Sequence, residues 1–149
     1  MPEKFFIVAI LITTIFSTAT AGVRDPHSDE NLIVFYQHQG YEYFLKKDTL
    51  ILVLEEKPCI VSFNYFVFDS IKPENTDWSK ENEMMFAYDV DERKVYFVDE
   101  DGNFSFLNPN GTVAEGSGYA MGAEIVYWLV FGEKFYGVYD EDFYNSIDG

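Results

Sequence analysis

Carboxylates recur beside aromatic rings along this chain. Glu42 stands between Tyr41 and Tyr43, and Asp89 follows Tyr88. Glu124 closely precedes Val126-Tyr127-Trp128, and Asp140 follows Tyr139. A pocket lined by rings and one or two carboxylates suits a protonated amine, because ring faces attract the cation and a carboxylate pairs with it. The residues selected for such a pocket are Glu42, Tyr88, Asp89, Glu124 and Trp128, with Phe66 as an apolar wall. Chance also produces such neighbours, since the chain carries 26 Asp+Glu, 15 Phe, 11 Tyr and 2 Trp.

Other chemistry finds little support. The chain has no HExxH, GxSxG, phosphate-binding P-loop or CxxC motif. Asp99-Glu100-Asp101-Gly102-Asn103 alternates acids, but its Gly comes too early for a calcium loop and no closing Glu follows. It reads as a hairpin turn. No carboxylate pair for glycoside hydrolysis stands out among so many acids. No enzyme activity, metal or cofactor is expected. Cys59 is the only cysteine, so no intramolecular disulfide can form. It opens the apolar run Cys59-Ile60-Val61 and reads as a buried strand residue. The two histidines, His27 and His38, sit in no local signature of cysteine catalysis.

The net charge of -16 and pI near 4.2 argue against nucleic acid or an anionic membrane as partner, since phosphates need a basic patch. Cationic ligands, cationic protein surfaces and simple solubility remain open. The 149 residues allow one domain, and 48% hydrophobic residues exclude general disorder.

At the N-terminus, Lys4 precedes an apolar run from Phe5 to Phe16, and Ala19-Thr20-Ala21 supplies a small-x-small cleavage pattern. The run is too short for a membrane span, which needs about 20 apolar residues. Residues 1–21 are therefore expected to be a signal peptide, and residues 22–149 a single secreted β domain. Asn103-Phe104-Ser105 and Asn110-Gly111-Thr112 are sequons, expected to be glycosylated at Asn103 and Asn110.

The elements that must position these residues read as strands. Apolar and aromatic stretches at 31–36, 41–45, 49–54, 59–68, 84–90, 95–98, 104–107, 124–131 and 134–139 are separated by turn residues. Asp101-Gly102 is the strongest hairpin signal. Residues 69–82 are polar and form a loop or a short helical turn, and the tail from Asp140 is acidic and aromatic. About nine short strands at such spacing predict an all-β antiparallel meander. In 59–68 and 124–131 both strand faces are largely apolar, which a closed barrel with a lined interior would explain. A small β-sandwich stays open. So does a propeller-like or hemopexin-like module, because three aromatic hairpins with Gly turns look alike, although no fixed motif recurs.

Several stretches resemble the secreted salivary lipocalins of ticks. They are the aromatic opening LIVFYQHQGYEYFL, the lone cysteine entering a long strand, the Trp-bearing polar stretch, and KFYGVYDEDFYNS near the end. The sequence departs from that family in lacking its cysteines, with Ser146 near the place of one, and in lacking the Gly-x-Trp signature. The resemblance implies a lipocalin-like β-barrel that sequesters a small host mediator, such as a biogenic amine, or a lipid. The first expectation is thus a secreted barrel binding a cationic or amphipathic small molecule. The second is an acidic β-sheet or hemopexin-like interaction module that binds a cationic protein surface. A packed interior would favour the second.

Overall fold

The computed structural model describes residues 24–148, so the expected signal peptide lies outside the described residues. Seven strands form one antiparallel sheet: β1 (Leu32–His38), β2 (Tyr41–Lys46), β3 (Ile51–Leu54), β4 (Cys59–Asp69), β5 (Asn82–Asp89), β6 (Lys94–Val98) and β7 (Phe104–Leu107). Their order is β1-β2-β4-β5-β6-β7. The eleven-residue β4 pairs with β2 along its C-terminal half and with β3 along its N-terminal half. The antiparallel β character read from the sequence holds.

Turn chemistry explains the hairpins. Gln39 and Gly40 both take positive φ, 49° and 83°, as a two-residue turn between β1 and β2 requires. Gly102 closes the β6–β7 turn at φ 81°. The polar stretch after β4 is a loop with one 3-10 turn at Pro73–Asn75.

The C-terminal third differs from the sequence reading. Residues 124–131, expected as a strand, are the second half of helix α1 (Ser117–Phe131). Residues 134–139, also expected as a strand, are irregular, and the acidic tail carries helix α2 (Glu141–Ile147). The cause is burial. Ala120 and every residue from Gly122 to Tyr127 are buried, so α1 is apolar nearly all round and loses the one-sided periodicity that marks a surface helix. Gly116 and Gly132, both left-handed at φ 81° and 66°, bracket the helix, and the Gly132 amide closes on the Trp128 carbonyl at 2.8 Å.

Helix α1 also explains why the closed barrel is not seen. It lies against one face of the sheet, where a barrel's interior would be, and β1 and β7 do not pair. Phe63, Phe86, Tyr88, Val61 and Val95 project from the strands on this side, and with Ala120, Ala123 and Val126 from the helix they are fully buried. Gly122 lets α1 approach closely, since a Cβ there would stand 2.7 Å from the Phe35 carbonyl oxygen. Cys59 is buried in this core, as read from the sequence, and burial pushes its thiol pKa up. Among the described residues there is one sheet, so neither a second sandwich layer nor a propeller blade repeat is present. No helix among them is long and apolar enough to cross a membrane.

Candidate functional site

The six residues selected for an amine pocket divide between the two faces of the sheet. Tyr88, Glu124 and Trp128 lie on the α1 side, Glu42 and Phe66 on the opposite side, and Asp89 at the end of β5. They do not form one pocket.

On the α1 side, Glu124 is fully buried and every contact it makes is internal. Its Oε1 accepts from the Phe135 amide at 3.2 Å, the Gly137 amide at 3.1 Å and the Tyr144 hydroxyl at 2.5 Å. Its Oε2 accepts from the Tyr136 amide at 2.5 Å. One carboxylate thus ties α1 to the irregular segment and to α2, a use no local spacing reveals. Trp128 packs its ring on Tyr144 at 4.7 Å between centroids. The Tyr88 hydroxyl donates to the Ala123 carbonyl at 2.8 Å, and burial raises its pKa well above the usual phenol value. These three residues build the core.

On the opposite face, register puts Val34, Phe44 and Phe66 in one row, with Gln37, Glu42 and Phe68 beside it. Phe44, Phe66 and Phe68 are buried together with Leu32, Val34 and Trp78 packed on them. Here a carboxylate does meet an aromatic cluster, as the sequence suggested, but the chain supplies its own partners to both. The His27 ring stands edge-on to Phe44 at 5.1 Å, and its Nε2 lies 3.1 Å from Glu42 Oε2. Arg24 lies over the Trp78 ring at 5.3 Å. The Gln37 side chain donates to Glu42 Oε1 at 2.7 Å. The 3-10 turn at Pro26–Ser28, capped by Asp25, carries His27 over the cluster.

Asp89 accepts from the Glu92 amide at 3.0 Å and so caps the β5–β6 turn. Asn103 and Asn110 are both exposed. The Asn103 side chain donates to both oxygens of Asp99, at 3.2 and 3.0 Å, and this contact holds the Asp99 carboxyl below its usual range. Asn110 sits in the turn after β7, its amide donating to Asn108 Oδ1 at 3.1 Å.

Beyond Asn64 and Glu83, which pair across β4 and β5, the opposite face is largely apolar, and no helix among the described residues covers it. Register sets Ile51, Ser62, Met85, Val98 and Phe104 in one row across five strands. A second row holds Leu54, Ile60, Ala87, Tyr96 and Phe106. Small or flat side chains fill the centre, with Ser62, Ala87 and Val98 buried between larger neighbours. Phe104 and Phe106 at one rim are 45% and 49% exposed, and Ile51 and Leu54 at the other are 60% and 40% exposed. The sequence carried a signal for this platform, because both alternating sets in 59–68 are rich in apolar residues. A sheet with helix cover on one side only needs just one.

Acids rim the platform. At the β5–β6 end, Lys57 and Lys94 are already paired with Asp91 at 2.6 Å and Glu92 at 3.1 Å, and Arg93 stands exposed beside them in the turn. Among the described residues, Glu55, Glu56, Glu100 and Asp101 have no Lys or Arg within 4.0 Å. A cleft of about 480 Å³ lies elsewhere, between the 3-10 turn, β1 and α2, lined by residues that include His27, Phe44 and Phe143. No group of three or more His, Cys, Asp or Glu among the described residues could hold a metal ion. Compared with family models, with curated proteins and with solved structures, the chain matches none.

Proposed function

We propose that this protein is an interaction module whose uncovered sheet face docks a cationic partner protein with an apolar centre. The observation that carries the reading is the platform of two apolar rows with unpaired acids at its rim. Exposed contiguous apolar surface costs solubility and marks docking sites in soluble chains. A centre of aromatic and aliphatic residues supplies desolvation, and an acidic rim selects a basic partner and speeds encounter. The net charge of -16 also disfavours a second copy of this chain, because like charges would face each other. The interior that a small-molecule barrel would leave lined and open is packed by α1. The one place where a carboxylate meets an aromatic cluster is filled by His27 and Arg24, so nothing in the packing supports an amine site there.

The test uses a synthetic β-hairpin peptide with one valine face and lysines at its rim. Calorimetric titration is expected to show saturable binding that weakens with salt, and Phe106→Asp is expected to weaken it at least tenfold. Binding that Phe106→Asp leaves unchanged, or no binding at millimolar peptide, would sink the proposal.

A further inference from the structure

Strand β3 has a free outer edge, and no described residue pairs along it. β2 and β3 lie end to end along β4, joined by the 3-10 turn Lys47–Thr49, so they share one position in the sheet. β1 fills the next position beside β2, but only as far as its last pair, Leu32 with Lys46. There the chain is turned aside. The Leu32 amide donates to the Asp29 carbonyl at 2.9 Å, and Asn31 is held by Asp48 through side-chain bonds at 2.9 and 3.0 Å. The residues before β1 then cross to the aromatic cluster through His27. Among the described residues, β3 pairs with β4 alone.

We infer that this edge accepts an extended segment of a partner protein, which adds as a strand along β3. This rests on the interaction reading above and names the form the partner takes at one edge. Native edge strands are usually protected by charge, proline or a cover. Ile51-Leu52-Val53-Leu54 has no charge or proline and, among the described residues, no cover; it is short and carries one register shift, between Leu52 and Leu54. Unpaired strand amides and carbonyls can bind any backbone, so the flanking side chains must choose the partner. Ile51 and Leu54 ask for apolar residues at alternate positions. Glu55 and Glu56, unpaired among the described residues at the strand's end, ask for Lys or Arg there. A second copy would instead bring its own Glu55 and Glu56 to the same edge.

The probe is the capped peptide Lys-Val-Lys-Val-Lys-Val, titrated into the isotopically labelled chain and followed by NMR and amide hydrogen exchange. The expected result is a saturable shift confined to residues 51–54 and their β4 partners, with slowed exchange at 51–54. N-methylation of every second peptide amide, which removes donors along one edge, is expected to weaken binding at least tenfold. Equal binding by the N-methylated peptide, or shifts centred on Phe104 and Phe106, would overturn the inference. So would protection of 51–54 in the free chain through self-association. Phe106→Asp separates the two proposals. Phe106 lies four strand spacings from β3, about 19 Å. That variant is expected to lose the hairpin and keep the linear peptide, so either proposal can fail alone.

Discussion

Replacing Glu124 by Gln changes one atom of the side chain and removes a charge from the centre of a four-donor clamp. The carboxylate accepts from three backbone amides and one hydroxyl. If the Gln oxygen takes the Oε1 position, its amide nitrogen meets the Tyr136 N–H, donor against donor. A buried donor left without acceptor costs about 1–3 kcal/mol, and the other three bonds lose their charge assistance. Together these give a loss of about 3–5 kcal/mol, a large share of a typical domain stability of about 5–15 kcal/mol. Tyr144→Phe removes one donor to Glu124 and the acceptor of a long bond from the Tyr139 amide, 3.5 Å, but sets no donor against another donor, so it should cost less, about 1–3 kcal/mol. Urea unfolding followed by circular dichroism measures both. The Gln variant should unfold at a midpoint lower by about 1–3 M for an ordinary urea slope. Hydrogen exchange should show residues 135–144 opening first. A Gln variant within about 1 kcal/mol of the parent would refute the view that this carboxylate holds the C-terminal segment in place.

Other outcomes follow from packing and ionisation. Gly122→Ala should gain about 1 kcal/mol of helix propensity yet destabilise overall by about 1–3 kcal/mol, because the new Cβ meets the Phe35 carbonyl; urea midpoints check the sign. Desolvation pushes the Tyr119 and Tyr139 phenols up to about 12. Raised values stabilise the fold below the unfolded tyrosine pKa near 10, and that contribution is lost as pH rises through 12. Absorbance at 295 nm should therefore show an early tyrosine phase near pH 10 and a late phase coinciding with unfolding. A single phase near pH 10 in folded protein would contradict this. Cys59, buried and raised by desolvation, should react with an aromatic disulfide reagent at pH 8 roughly a hundredfold slower than in denaturant. Equal rates would place the thiol at the surface.

The strands were legible because their signals are local. The runs in β1, β2 and β4 to β7 are bounded by turn residues, and Gln39, Gly40 and Gly102 adopt the positive φ that their turns demand. Helix α1 was not legible, because tertiary burial removed its periodicity. Its second half, Glu124 to Phe131, is rich in β-branched and aromatic residues and reads equally well as a buried strand. The paired glycines at 116 and 132 and the run Tyr119-Ala120-Met121-Gly122-Ala123-Glu124 were the available helix signals. Glu124 reads from sequence as an acid among rings, but its partners come from positions 135–137 and 144, which no short-range pattern connects to it. Doubly apolar strands read from sequence as a closed interior, whereas in the fold one apolar side meets α1 and the other stays partly open.

On the proposed function, this protein binds through its exposed apolar sheet face rather than through a cavity. Mapping the valine-lysine hairpin onto the labelled chain by intermolecular nuclear Overhauser contacts tests it most directly. Contacts are expected from peptide valines to Ile60, Met85, Tyr96 and Phe106, with peptide lysines near the acids at the rim. Peptide contacts gathered instead at the cleft beside His27 and Phe143, or scattered over the acidic turns with none to Phe106, would contradict it.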